Sequence, residues 1–357
     1  MLGKVLAGSL ALACFATHAQ NVTIYGIADV AIEHLNNANA AGGSLIREPT
    51  LTGLAPSRLG FRGNEDLGGG LQAFFNLEIG YALATGALNN GGRIFGRASN
   101  VGISGPWGAL TLGRQANMTL QPLLTHVTGP ALYSIGSLDT YLPNTFSDNA
   151  IGYLGKFGGW TAGATYSLGR DGAAGTIPSA TNCPGELATD KKACNQWTTA
   201  VRYDTADWGA ATSFDEMRGG PGAALGLSSS NYTDKRTIVS GWLKVGVGKV
   251  SGGVLHRDRV TATSLKSNLY YAGASYPLTP ELELDGEVAR LDIMDSPNDA
   301  NMVHGRFIYH FSKRTSVYLM AGHIKNYGTS AVSLSAAGTT GPGMGQTGIA
   351  TGFDQRF

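Results

Sequence analysis

The 357-residue sequence has little charge and, after its first twenty positions, no long hydrophobic run. Charged side chains make up 14% of the chain, whereas soluble domains usually carry about 25%. No later segment approaches the ~18 consecutive apolar residues typical of a transmembrane helix. These absences exclude a helical membrane protein for the segment after residue 20. They leave a soluble β-protein or a closed β-barrel, the other architecture that a bilayer permits.

A surplus of basic side chains is also absent. The chain has 26 basic and 25 acidic residues, and removal of the first 19 residues would take Lys4 with them and leave 25 of each. Nucleic-acid binding needs many cations to displace counterions, so a general nucleic-acid binder is excluded. The HExxH and GxSxG patterns of zinc proteases and serine hydrolases do not occur in the sequence. We therefore expect no enzyme, no metal site and no cofactor.

The first twenty residues are typical of a secretory signal peptide. A short positive start ending at Lys4 precedes an apolar run over 5–16, and small residues stand at Thr17 and Ala19. This pattern predicts cleavage after Ala19, leaving one domain over residues 20–357. The alternatives are a retained hydrophobic helix, for which the run is too short to span a bilayer, and lipoprotein processing at Cys14, for which the preceding residues fit poorly.

Cysteine is scarce, with only three in the chain. Cys14 would leave with the signal peptide, and Cys183 and Cys194 lie in one polar segment. An oxidising compartment favours a disulfide between these two residues, worth roughly 2–3 kcal/mol in the chain-entropy view. A metal site is the alternative, but no histidine accompanies the pair.

The remainder of the sequence alternates with the period of a β-strand, and no helical stripe extends over three turns. In the segment 22–34, Val22, Ile24 and Val30 share an apolar face, whereas Asp29 and Glu33 share the opposite, polar face. Such a strand fits either a soluble sandwich or a membrane barrel with polar groups inside.

The spacing of the turn signals favours the barrel. Seven tight turns alternate with eight longer loops, which separates sixteen strands, an even number as in single-chain bacterial barrels. The predicted tight turns are 65–70, 104–108, 155–160, 205–210, 245–249, 276–281 and 311–315. The predicted long loops are 37–55, 84–92, 116–147, 170–196, 218–232, 260–266, 295–301 and 328–346.

Several blocks resemble the Gram-negative general porins of the β-proteobacterial type. These blocks are VTIYGIADVAIE at 22–33, PSRLGFRGNEDLGGGLQAFFNLE at 56–78, FGRASNVGISGPWGALTLGRQ at 95–115, SDNAIGYLGKFGGWTAGATYSLG at 147–169 and TGFDQRF at 351–357. The resemblance implies an antiparallel sixteen-stranded outer-membrane barrel with short periplasmic turns, long extracellular loops and an inward-folded third loop. It also implies a homotrimer, and it makes Phe357 a signal read by the barrel-insertion machinery.

The resemblance further implies a pore constriction with a basic wall. Arg58 and Arg62 share the non-lipid face of their strand, and the family pattern assigns Arg58 and Arg97 to the constriction. A third basic residue expected by that pattern is replaced by Gly152. Lys156 lies too far along the strand to substitute, so Arg114 is the further candidate, with anchoring of the loop entry as its alternative role.

Acidic residues are expected to face this basic wall and to offset part of its positive charge. On the inward loop, here 116–147, the candidate is Asp139, with capping of a turn as the alternative. Asp29 and Glu33, with Asp285 and Glu287, are expected as acidic lumen charges, and Arg62 and Lys156 as basic ones. We therefore predict a channel for passive diffusion of small hydrophilic solutes and ions with a weak anion preference. A barrel enzyme of the outer membrane and a secreted β-rich adhesin are the alternatives.

Overall fold

A computed structural model describes residues 21–129, 132–173 and 181–357. The predicted signal peptide, residues 1–19, lies outside the described residues. No helix in the described part of the chain is long and apolar enough to cross a membrane.

The described chain is built almost entirely from β-strands joined in one sheet. The strands are β1 (Asn21–Leu35), β2 (Leu45–Arg47), β3 (Arg58–Gly68), β4 (Leu71–Gly80), β5 (Ala98–Gly105), β6 (Gly108–Ala116), β7 (Phe146–Ser147), β8 (Ala150–Phe157), β9 (Trp160–Ser167), β10 (Gln196–Asp204), β11 (Trp208–Arg218), β12 (Thr233–Val245), β13 (Gly248–Val260), β14 (Leu265–Pro277), β15 (Leu282–Ile293), β16 (Ala300–Ser312), β17 (Thr315–Asn326) and β18 (Gly345–Arg356). Two short α-helices, α1 (Leu120–Leu123) and α2 (Ile135–Leu138), and a 3-10 turn (Leu142–Asn144) lie between β6 and β7.

The sheet closes on itself. Each long strand pairs antiparallel with its neighbours, and β1 pairs with β18 in the register Asp29↔Asp354 as well as with β3. Only β2 and β7 are short segments of two or three residues, so sixteen long strands form the barrel. Closure gives every strand a partner on both sides, which a bilayer requires because it offers no hydrogen bonds. The sixteen-stranded antiparallel barrel predicted from the turn spacing is confirmed.

Successive side chains of each strand point alternately into the barrel and outward from it. On β12, Asp234, Arg236 and Ser240 point inward and are buried, whereas Val239 and Leu243 point outward and are exposed. The same outward exposure of large apolar residues recurs around the barrel. At the end carrying the tight turns, here called the turn end, exposed outward aromatic residues include Phe157, Trp160, Trp208, Tyr276 and Phe311. An apolar band flanked by aromatic residues is the exterior expected of a membrane barrel.

The long connections leave the opposite, loop end. Three of them matter for the site: loop 1 (residues 36–57), the inward loop (residues 117–149) and loop 8 (residues 327–344). Apolar residues of the inward loop, including Leu132, Ile135 and Leu142, form one buried cluster with Ile238 and Tyr318 of the barrel wall. This core explains why a loop can be so rich in leucine, because its side chains are buried inside the barrel.

Candidate functional site: the pore constriction

The inward loop is fixed to the wall formed by β10 to β13. Thr119 Oγ1 donates a 2.8 Å hydrogen bond to Asp215, and the Tyr141 hydroxyl donates to the same carboxylate. Further along, Thr125 Oγ1 lies 2.9 Å from Ser240 Oγ. Burial, followed by the Asp215 carboxylate, raises the pKa of Tyr141, so this hydroxyl keeps its proton. The loop is therefore held by polar contacts at several points along its length.

A buried His–Glu–His group fixes the next part of the loop. His126 on the loop pairs with Glu287 on β15, and His304 Nε2 on β16 lies 3.9 Å from the other Glu287 oxygen. Nearby, Arg306 donates to the backbone oxygen of Thr128 at 3.2 Å and pairs with Asp285 at 2.6 Å. Glu287 and Asp285, two acids expected to line the lumen, are thus engaged with neighbouring cations or imidazoles.

Asp139, the predicted acidic residue of the loop, lies at the end of α2 and is nearly buried. Its carboxylate accepts hydrogen bonds from Arg236 Nε and Nη2 on β12, at 2.8 and 3.2 Å. Burial alone would raise the pKa of Asp139, but the charges of Arg236 and Arg257 outweigh burial and hold it well below its ordinary value. Asp139 also lines the channel cavity. Its charge is balanced by Arg236, a wall arginine that was not predicted from the sequence.

Loop 1 also enters the barrel, which the sequence did not predict. Asp29 Oδ2 accepts hydrogen bonds from the backbone nitrogens of Leu54 and Ala55, each 3.0 Å long. The other oxygen accepts a 2.6 Å bond from the Tyr318 hydroxyl, and Leu132 of the inward loop donates to the Thr52 carbonyl at 3.1 Å. Asp29 therefore faces inward, but it is fully buried under loop 1.

Loop 8 packs on the other side of the inward loop. Ser137 Oγ donates to the Leu334 carbonyl at 2.7 Å, and Ser335 Oγ accepts a 2.6 Å bond from Arg47 Nη2. Arg47 is in turn paired with Glu33 at 2.7 Å, and the Glu33 side chain is fully buried. Three loops, rather than the third alone, thus narrow the barrel.

The predicted basic wall lies on β3 to β5. Arg97 pairs with Glu78 at 2.5 Å, and Arg62 stacks over the Tyr25 ring with its guanidinium 5.2 Å from the ring centre. Arg58 Nε donates to the Pro56 carbonyl at 3.1 Å. Among the described residues, Arg58 and Arg62 form no salt bridge. Three arginines and one glutamate therefore share this part of the inner surface.

The remaining basic candidates lie elsewhere. Arg114 is buried near the end of β6, donates to the Gly96 carbonyl at 2.7 Å and pairs with Asp148 at 2.6 Å, which ties the start of the inward loop to its end. Lys156 is exposed on β8 toward the turn end. At Gly152 an added Cβ would lie 2.2 Å from Gln115 Oε1. The Gln115 side chain therefore fills the space beside the glycine.

A cavity of about 770 Å³ runs between these loops and the wall. Its lining includes Ser57 of loop 1, Arg97, Asp139 of the inward loop and Arg257 of β13. A concave, polar passage lined by charges of both signs is suited to filtering hydrated solutes by size and charge.

Two further contacts close a loop and the barrel seam. Cys183 and Cys194 form a disulfide in the loop between β9 and β10, as predicted from the sequence. At the seam, Phe357 and Gly26 exchange backbone hydrogen bonds of 3.1 and 3.0 Å, so the last residue completes the closure between β1 and β18. Among the described residues, no group of three or more potential ligands could hold a metal ion.

Comparison with known proteins decides the family. A family model described as Gram-negative porin matches residues 6–329. The chain belongs to the Gram-negative porin family. It is 31% identical to outer membrane porin protein 32 of Delftia acidovorans over the full length of both chains. It is also 28% identical to an outer membrane porin protein of Bordetella pertussis, over 96% of this chain and 98% of that one.

The solved structures agree with this assignment. The porin superposes on a structure described as an anion-selective porin from Comamonas acidovorans with a TM-score of 0.76 and 28% identity, covering 95% of this chain and 100% of the other. The chain is thus an outer-membrane porin, a water-filled channel for passive diffusion of small hydrophilic solutes and ions, and not an enzyme. The resemblance found in the sequence is confirmed.

Proposed function

We propose that this porin prefers anions, and that Arg58, Arg62 and Arg97 set the preference. One observation carries the proposal: these three arginines share the inner surface of β3 to β5 with a single paired carboxylate, Glu78. The surplus is two positive charges on this wall. Asp139 does not offset it, because its charge is balanced by Arg236.

Electrostatics give the size of the expected effect. A fixed charge about 5 Å from the path of an ion changes the energy of that ion by roughly 0.8 kcal/mol in water. The change has opposite signs for anions and cations, so each surplus arginine should alter the permeability ratio severalfold. Salt would weaken the effect, since exposed charges are screened within about 10 Å at 0.1 M. The relative described as an anion-selective porin from Comamonas acidovorans is consistent with this direction.

Reversal potentials in a planar bilayer under a potassium chloride gradient test the proposal. The wild type should give the sign of an anion-preferring pore, and Arg58→Ser and Arg97→Ser should each move the potential toward cation preference. Lys266→Ser is the matched control, because Lys266 is exposed on the outward face of β14. A wild-type potential of the opposite sign, or one unchanged in both arginine variants, would overturn the assignment.

We also propose that the porin assembles as a homotrimer, is exported through the cleaved segment 1–19, and is inserted by machinery that reads Phe357. An outward apolar groove over β3 to β6, lined by Ala73, Phe75, Val101 and Ile103, is compatible with subunit contact. Chemical cross-linking of the purified porin in detergent should yield a three-subunit species; a purely monomeric pattern would contradict the trimer.

A further inference from the structure

A second cavity, of about 440 Å³, lies inside the barrel between the inward loop and the wall formed by β15 to β18. It lies on the turn-end side of the constriction, because its lining includes Glu283 at the start of β15 and Lys313 in the tight turn after β16. This cavity, here called the turn-side vestibule, is separate from the 770 Å³ cavity, since no residue lines both.

The inward loop gives the vestibule an apolar roof. Leu120, Leu124 and Val127 line it from the loop, and Leu124 is 52% exposed although it lies within the lumen. An exposed apolar patch marks a surface suited to binding, because covering it with another apolar group removes both from water. The roof therefore fits a solute that carries an apolar group, which a channel for purely hydrophilic solutes would not require.

Most of the charged groups around the vestibule are neutralised within the protein. On the barrel wall, Arg306 and Asp285 pair with each other at 2.6 Å. At the rim, Arg356 pairs with Asp354 at 2.8 Å. The arginines that line the vestibule are thus matched by carboxylates of the wall, and their charges largely cancel for a solute in the cavity.

Glu283 and Lys313 are the two charges that remain. The Glu283 side chain is 35% exposed, and its ion-pair contact in the described chain is with His310 Nε2, at 3.7 Å, beyond hydrogen-bond distance. The other ring nitrogen of His310 lies 2.8 Å from Ser316 Oγ. Lys313 is exposed and forms no ion pair with another described residue. A carboxylate and an ammonium group therefore face the same space without a close partner.

We propose that the turn-side vestibule binds small zwitterionic solutes with an apolar side chain, the chemistry of a free amino acid such as leucine. The ammonium group of the solute would donate to Glu283, its carboxylate would accept from Lys313, and its side chain would pack against Leu124. Charge-assisted hydrogen bonds of this kind are the strong ones, and the flexible stem of a lysine lets its ammonium adjust to the solute. The subsite goes beyond the proposed anion preference, since its ligand has no net charge.

The roof and the charges have separable roles. Glycine carries the same two charges as leucine but has no side chain to cover Leu124, so the roof alone distinguishes the two solutes. The cavity volume of about 440 Å³ lies within the range of about 300–1,000 Å³ that is usual for small-molecule sites. A solute held there narrows the water-filled passage below the inward loop, and its binding therefore lowers the ion current.

Single-channel potassium chloride current in planar bilayers, recorded with leucine or glycine in both compartments, tests the subsite. The wild-type current should fall at severalfold lower concentrations of leucine than of glycine. Leu124→Ser should remove most of this difference and leave the glycine response unchanged, because it removes only the apolar contact. Glu283→Gln and Lys313→Gln should each weaken the block by both solutes, because each removes one of the two charge-assisted contacts.

The controls are an exposed leucine and an exposed lysine outside the lumen. Leu83 is 40% exposed in the connection between β4 and β5, and Lys266 lies on the outward face of β14. Leu83→Ser and Lys266→Gln should both respond to leucine like the wild type. Val127→Thr is a second roof variant, which keeps the test decisive if Leu124→Ser forms no open channels, and it should shift the leucine response in the same direction.

Two results would refute the subsite: equal wild-type responses to leucine and glycine, or a leucine response that neither roof variant changes. The comparison between two zwitterions contains no reversal potential. A failure of the proposed anion preference and a failure of this subsite would therefore appear in different measurements.

Discussion

Replacing Asp139 by asparagine should loosen the constriction without unfolding the barrel. The asparagine keeps the size of the side chain but removes the charge that accepts two hydrogen bonds from Arg236. Arg236 is 2% exposed, so its guanidinium would remain buried with Asp234 as its remaining acid, and Asp234 is already shared with Arg257.

The cost can be worked from these contacts. Removal of one partner from a buried ion pair costs about 3–5 kcal/mol. The remaining 3.2 Å contact between Arg236 and Asp234 places this case near the lower end. A loss of about 3 kcal/mol shifts the ratio of detached to attached α2 segment roughly 100-fold, since each 1.4 kcal/mol is a factor of ten. The bonds at Thr119 and Thr125 lie outside α2, so the rest of the loop stays in place.

Single-channel recording measures this change. We expect a larger open-channel conductance and more current noise in Asp139→Asn than in the wild type, with an unchanged far-ultraviolet spectrum. Asp207→Asn is the control, because Asp207 is 72% exposed at a tight turn. Conductance and noise equal to the wild type would show that the Asp139–Arg236 pair does not position the loop.

The pH dependence gives an independent check on the same pair. Because Asp139 has a pKa lowered relative to its ordinary value, the pair stabilises the loop above the pKa of an unfolded aspartate. Its contribution would be lost only as the pH falls through the lowered value. The excess noise of Asp139→Asn should therefore be the same from about pH 5 to about pH 8. A difference that disappears at the acidic end of this range would contradict the assignment of charge.

Three further predictions follow from local contacts. Replacing Cys183 and Cys194 by serine should remove roughly 2–3 kcal/mol of loop stability and speed proteolysis within 184–193, while conductance is unchanged; equal digestion rates would refute a stabilising role. Phe357→Ala keeps the two backbone bonds to Gly26, so it should refold normally in detergent but insert poorly in cells; equal yields in cells would refute recognition of the aromatic side chain. The single variant Gly152→Arg should misfold, because its Cβ would clash with the Gln115 side chain. The double variant Gly152→Arg with Gln115→Ala should fold and show a stronger anion preference. A folded single variant would show that the glutamine side chain can move aside.

Much of the fold was predictable because it depends on local signals. Outward Val239 and inward Arg236 follow from the period of two along β12, and turn residues such as Gly158 mark where strands end. Closure then follows from the need of every backbone amide for a partner in a bilayer. The disulfide was predictable for a similar reason, because Cys183 and Cys194 are close in sequence.

The charge balance of the site was less predictable, because it depends on partners distant in sequence. The alternation that placed Asp29 inward could not show that loop 1 would fold over it, with Leu54 and Ala55 donating to its carboxylate. Asp139 and Arg236 are 97 residues apart in sequence, and no pattern in either segment indicates the other. The inward faces of β12 and β13 did carry a usable signal, since HRDR places Arg257 and Arg259 at alternate positions and DKR places Arg236 two residues after Asp234.

Counting charged residues on inward faces therefore misjudges selectivity, because paired charges cancel at the distance of a passing ion. Asp29, Glu33 and Asp139 are buried and bonded, and a field from each is offset within a few ångströms by a donor or a cation. The charges that act on a passing ion are those left without a counter-charge, such as Arg58 and Arg62 on the wall of β3. On this reasoning Asp29→Asn should change the attachment of loop 1 but leave the reversal potential near the wild-type value, whereas Arg58→Ser should do the reverse. If Asp29→Asn shifted the potential as far as Arg58→Ser, inward-facing charge alone would govern selectivity, whether or not it is paired.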